Sequence, residues 1–99
     1  MRPEEFIYQP MILLDHRMME YNFCMQNIQH PNGHYTEFGV YEGKSINYLA
    51  NLNKKITFHG FDSFKGLPEK WFMGHKVVEE GHFAIDGLPK VVPNVVLHE

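Results

Sequence analysis

The sequence predicts an α/β fold: an open parallel sheet with a helix ahead of its first strand and a ligand site at the carboxyl ends of the strands. Three observations lead there. Large apolar residues recur at helical spacing between Met11 and Ile28; two short runs rich in β-branched and aromatic residues, 34–40 and 56–61, enclose a segment with Ile46, Leu49 and Ala50 at helical spacing; and glycines 39 and 43 mark the passage from the first run into that segment. Strand, helix, strand in this order is the unit from which open parallel sheets are built.

The first element follows from Met11, Leu14, Met18, Tyr21, Met25 and Ile28, which alternate steps of three and four and so share one helical face. Pro31-Asn32-Gly33 ends it in a turn. A packing helix is the simplest reading; a dimer seam would need more heptads than this stretch holds. Residues 1–33 are therefore read as an N-terminal helical segment and 34–99 as the sheet-forming part. The run 34–40 supplies the first strand, 56–61 the second, and Val95-Val96-Leu97-His98 a third. Between Asp62 and the third strand the chain is rich in glycine and proline, and much of 68–93 is expected to be loop. An open sheet buries both faces and commonly has about five or more strands. Three are legible, so the fold reads as truncated.

Composition bounds the function. A chain of 99 residues, 43% of them hydrophobic, fits one small globular domain, and its core should be small. A formal charge of −3 gives no general attraction for nucleic acid or an anionic membrane. Cys24 is the one cysteine, which leaves no disulfide framework and points to an intracellular, cytoplasmic setting. With no charged helper nearby in sequence it reads as a small buried apolar side chain. The N-terminus lacks the order of a signal peptide, and the apolar run 11–14 is too short to span a bilayer.

The chemistry concentrates in Glu37-Phe38-Gly39-Val40-Tyr41-Glu42-Gly43-Lys44-Ser45. Gly39 and Gly43 allow a tight turn and close approach of a ligand. Ser45 can cap the following helix, whose first amides suit a carboxylate. Glu37 and Glu42 would repel the phosphates of a dinucleotide or a nucleoside triphosphate. S-adenosylmethionine carries an ammonium, a sulfonium and one carboxylate, so an acid beside bare amides suits it better. Gly43-Lys44-Ser45 imitates a phosphate loop, but that motif needs four residues between its first glycine and Gly-Lys, and Gly39 and Gly43 enclose three. Glu37 likewise stands where the nicotinamide fingerprint has its first glycine. Asp62, nineteen residues after Gly43 at the end of the second strand, is placed to accept hydrogen bonds from ribose hydroxyls. Its alternative is a turn or capping role. Ser63 can bond the same ribose or cap.

These residues resemble a known family. Glu37-Phe38-Gly39-Val40, Gly43 and Ser45-Ile46, then Gly60-Phe61-Asp62-Ser63-Phe64 with Gly66-Leu67-Pro68-Glu69 and Trp71, look like the macrocin O-methyltransferase family of class I methyltransferases. Gly81-His82-Phe83 and Val92-Pro93-Asn94-Val95 resemble its pattern too, so the likeness runs over roughly 35–97. It implies a Rossmann-like class I methyltransferase fold and methyl transfer from S-adenosylmethionine to a hydroxyl of a small molecule, often a sugar of a natural product. It implies that Glu37, Gly39 and Gly43 line the methionine and sulfonium end while Asp62 and Ser63 hold the ribose. It also implies a magnesium ion held by aspartates and a nearby base, both from a second half that this chain lacks. No residue here can be given the catalytic role.

Other readings stand beside this one. A non-catalytic remnant or interaction module, associating as a homo-oligomer through the N-terminal helix, is a different class; a nicotinamide-linked oxidoreductase is disfavoured by Glu37. The seven histidines do not fall at metal-ligand spacing, since Pro31 and Gly33 break any helix joining His30 to His34. Trp71 and Phe72 read first as loop residues packed on the core and second as a lid. Glu79 and Glu80 read as a solvated pair.

Overall fold

The computed structural model describes residues 16–29 and 31–99. They form a mixed α/β unit. Helix α1 spans Arg17–Gln26, strand β1 Tyr35–Phe38, helix α2 Lys44–Leu52 and strand β2 Phe58–Phe61; the short strands β3, Trp71–Phe72, and β4, Val77–Val78, precede β5, Val95–His98. β1, β2 and β5 make a parallel sheet with β2 in the centre. β3 and β4 pair antiparallel as a separate hairpin.

α1 is shorter than the apolar spacing suggests. His16 caps it, its Nδ1 accepting from the Met18 N–H at 3.1 Å. Asn27 closes the other end by donating from its side chain to Phe23 O at 2.7 Å and from its backbone to Cys24 O. Ile28 therefore lies beyond the helix, and Met11 and Leu14 fall outside the described residues. Met18, Tyr21 and Met25 are half-buried as their shared face requires. Tyr21 packs on Tyr48 of α2 at 6.2 Å between centroids, and the Tyr48 hydroxyl donates to Asn22 Oδ1 at 3.0 Å. Cys24 points the other way and is exposed, contrary to the expectation of burial: the face turned to α2 is the methionine and tyrosine face, one step removed.

α2 supplies the packing face that Ile46, Leu49 and Ala50 predict. Ile46 and Ala50 are buried and meet Val40, Phe58, Phe64 and Val95 in one cluster. That cluster is small, as the chain's size predicts. Asn94 fastens α2 to the sheet, its Nδ2 reaching the carbonyls of Ala50, Asn53 and Ile56 at 3.0, 3.2 and 2.8 Å. The Ala50 oxygen lies in the last turn of the helix, where no intrahelical donor follows; Asn53 is the C-cap and Ile56 belongs to the connection to β2. One amide thus ties the helix end and its exit to the sheet. Asn47 does the same from within α2, donating to Lys90 O and accepting from Val92 N.

The sheet is covered on one face only among the described residues. Tyr35, Glu37, Phe58, Gly60, Val95 and Leu97 turn toward α2; the alternate residues turn away, where Phe38 is 79% exposed. On this open face Phe38 stacks on Phe61 at 5.2 Å, Phe61 on His98 at 4.5 Å, and His98 on His59 at 5.2 Å. His59 Nδ1 and His98 Nε2 share a hydrogen bond at 3.0 Å.

The expected loop after Asp62 contains the β3–β4 hairpin, with Gly74 in its turn. Trp71 and Phe72 lie in it 48% and 75% exposed, so they do not pack on the core as expected: a two-stranded hairpin this short has no buried face to offer them. Among the described residues no helix is long and apolar enough to cross a membrane.

Candidate functional site

The loop between β1 and α2 and the turn after β2 meet at the carboxyl ends of their strands, where an open parallel sheet places its ligands. Gly39 donates its N–H to Phe61 O at 2.8 Å, extending the ladder one residue past β1. Gly43 N–H bonds Val40 O at 3.0 Å, closing the turn. Gly43 is the N-cap of α2 at φ +84°, in the left-handed region, and this backbone conformation favours glycine there, since a Cβ would make only ordinary contact with Asn47 and Pro89.

Asp62 is the clasp of this arrangement. Its Oδ2 accepts from the N–H groups of Val40 and Tyr41, both at 2.8 Å, and its Oδ1 from Phe64 N–H at 2.9 Å. Burial pushes its pKa up, but the amides of Tyr41, Phe64, Val40 and Ser63 together outweigh it, so the carboxyl sits below its ordinary value. An ionised carboxylate offers about four lone-pair sites. Three of them are taken by backbone amides, so the turn role anticipated for Asp62 is present. Ser63 serves the same turn, its Oγ accepting from Lys65 N–H at 3.1 Å.

Glu37 and Ser45 form a second pair. Ser45 does not cap α2, because Gly43 is the N-cap and Ser45 already lies inside the helix; its hydroxyl donates instead to Glu37 Oε2 at 2.7 Å. Glu37 Oε1 is buried and has no hydrogen-bond partner. Burial raises the pKa of Glu37, and the Ser45 hydroxyl offsets only part of that rise.

Four of the six predicted site residues divide among three cavities, and Gly43 lines none of these. Gly39 and Ser45 line one of about 380 Å³ together with Arg17, Tyr41 and Lys44. Glu37 faces another, on the α2 side of β1, of about 460 Å³. Ser63 borders a third of about 240 Å³ beside Phe64 and Glu99. Asp62 joins the loop to the β2 turn without lining any of them.

Sequence reading overlooked the Val40 and Tyr41 amides, which no side-chain pattern advertises, and Arg17, whose place beside the loop depends on how α1 packs. It also left unconnected the strings Gly66-Leu67-Pro68 and Gly81-His82-Phe83, which are adjacent in space. Leu67 N–H bonds His82 O and Gly81 N–H bonds Leu67 O, both at 2.9 Å. Gly66, at φ +79°, sits so close to the carbonyls of Gly81 and His82 that a Cβ would overlap them. Phe83 then packs edge-on against Tyr41 of the loop at 5.4 Å. No group of three or more metal-binding side chains gathers among the described residues. Comparison with known protein families, with curated proteins and with solved structures finds no match to this chain.

Proposed function

We propose that this chain carries the cofactor-binding part of a Rossmann-like, S-adenosylmethionine-dependent O-methyltransferase acting on a hydroxyl of a small molecule, such as a sugar of a natural product. The observation that carries the reading is the joining of the glycine loop to the acid after β2: Asp62 binds the loop amides of Val40 and Tyr41 directly. The cavity beside the loop suits the amino-acid end of the cofactor. The first amides of α2 and the side chain of Arg17 offer donors and positive charge to its carboxylate, while Lys44 at the same cavity is paired with Glu42 at 3.5 Å. Glu37, through its bond to Ser45, supplies negative charge behind the loop for the ammonium and sulfonium.

Ribose binding at Asp62 then requires an exchange. One lone-pair site remains for two hydroxyls, so the second is gained by displacing the Tyr41 amide, whose bond is the exposed one. The described residues do not suit the magnesium ion that the resemblance implies, since no acidic cluster gathers in them. No catalytic step is assigned to this chain's residues.

Calorimetric titration with S-adenosylhomocysteine tests the reading. Saturable binding that weakens by about 1.5–3 kcal/mol in Asp62→Ala, as for a lost bond to a charged acceptor, supports it. Absence of heat at millimolar cofactor sinks it. A second reading, an association module, is favoured by Met19 and Phe23, four apart on α1 and exposed at 47% and 37%. Light scattering that shows a monomer at high concentration removes it.

A further inference from the structure

Two histidines that lie 39 residues apart in the chain meet on the sheet face turned away from α2. His59 sits on β2 and His98 on β5, in a register that pairs Phe61 with His98 and His59 with Val96. The two rings are therefore diagonal neighbours on one face, and His59 Nδ1 lies 3.0 Å from His98 Nε2. Both residues are half-buried. The His98 ring stacks on Phe61 at 4.5 Å and 13° and on His59 at 5.2 Å and 29°. The sheet ladder fixes the backbones and the stack fixes the rings, so the two nitrogens are brought together before anything binds. The face sets no cation against them: its other sheet positions are Thr36, Phe38, Phe61 and Val96.

Neutral imidazole nitrogens are common ligands of divalent late first-row metals. On metal–nitrogen bonds of about 2.0–2.1 Å, a separation of 3.0 Å subtends roughly 95° at the metal. That is close to the cis angle of a tetragonal site and narrower than the roughly 109° of a tetrahedral one, and copper(II) and nickel(II) are the ions that take it. We propose that His59 Nδ1 and His98 Nε2 chelate a divalent transition-metal ion, copper(II) most tightly. Water completes the coordination, since among the described residues no third metal-binding side chain joins the pair. Chelation needs a lone pair on both inner nitrogens. The hydrogen held between the rings moves to the outer nitrogen of the ring that carries it, so both rings stay neutral and no proton is released. Magnesium, which takes oxygen ligands, does not suit the pair. The inference does not rest on the cofactor reading, because neither histidine lines the cavities that hold the predicted site residues.

The test is a titration of the full chain with copper(II), followed by NMR of the histidine rings and by electron paramagnetic resonance. Below one equivalent, the ring signals of His59 and His98 should broaden before those of the other histidines, and the copper spectrum should show two equatorial nitrogens. His59→Gln and His98→Gln should each weaken the first equivalent by at least about tenfold, as one imidazole remains of two. His75→Gln, in the turn between β3 and β4, should change it by less than a factor of about two. Zinc should bind the pair more weakly than copper(II), and excess magnesium should not displace either. Amide spectra check that the variants keep the sheet, and the broadening in the unaltered chain reads the site without them. First broadening at another histidine overturns the proposal. So does undiminished copper binding in a folded His59→Gln or His98→Gln, tighter binding of zinc, or displacement by magnesium.

Discussion

Removing the Asp62 carboxylate should loosen the glycine loop before it unfolds the sheet. In Asp62→Ala three amides lose their acceptor: Val40 and Phe64 in half-buried bonds, Tyr41 in an exposed one. A hydrogen bond to a charged acceptor is worth about 1.5–3 kcal/mol, but the exposed Tyr41 amide regains water and solvent screens the rest, so the expected loss is about 2–3 kcal/mol. Asp62→Asn keeps one acceptor oxygen and should lose about half as much. The assay is urea unfolding together with amide exchange at Val40 and Tyr41. Because the folded-state pKa of Asp62 is lowered, its contribution is fully present above the unfolded value of about 3.9 and is lost as pH falls through the folded value. The deficit of Asp62→Ala should therefore be constant near neutrality and shrink below about pH 4. Unchanged exchange at Val40 and Tyr41, or a deficit that persists undiminished in strong acid, would refute the clasp.

Three further outcomes follow from the geometry. Glu37→Gln should stabilise the chain by roughly 1 kcal/mol at pH 7, since it removes a half-buried charge while keeping an acceptor for Ser45; with the Glu37 pKa raised on folding, thermal melts should show the gain fading as pH falls through the folded value toward 4.5. Gly66→Ala should cost about 3 kcal/mol or more in urea unfolding, because a Cβ would meet the Gly81 and His82 carbonyl oxygens at 2.4 and 2.3 Å in a left-handed backbone. Asn94→Ala should cost about 2 kcal/mol and speed exchange at the end of α2, as three carbonyls lose one shared donor; a change within about 0.5 kcal/mol would mean that water replaces the amide without loss.

The elements whose pattern is local were legible in the sequence. Ile46, Leu49 and Ala50 mark α2 because a helix repeats every 3.6 residues, and Val95–His98 emerged with the bounds its composition suggests. The position of Asp62 was readable from its spacing to Gly43, but its partners were not, since backbone amides leave no residue-type signature. Asn47 and Asn94 were invisible for a related reason: each bonds groups about forty residues away or more, so its value exists only after the chain closes. The hairpin had a usable signal, two apolar pairs around a glycine-containing turn, that the surrounding prolines obscured. Tyr41, Phe64 and Phe83 adopt positive φ without being glycine, a demand set by the packing of the loops and not by local propensity.

The contact between His59 and His98 makes two side chains into one tautomeric unit. A bond from Nδ1 of one ring to Nε2 of the other needs a hydrogen on one of those atoms and a lone pair on its mate. Once His59 carries its hydrogen on Nδ1, a neutral His98 must carry its own on Nδ1 as well; the reverse choice moves both hydrogens to Nε2. Whatever engages the outer nitrogen of either imidazole therefore dictates the hydrogen on the far ring, 39 residues away along the chain and one strand across. Nitrogen NMR shifts of the two rings should move together, and replacing either residue should release the other from its fixed form.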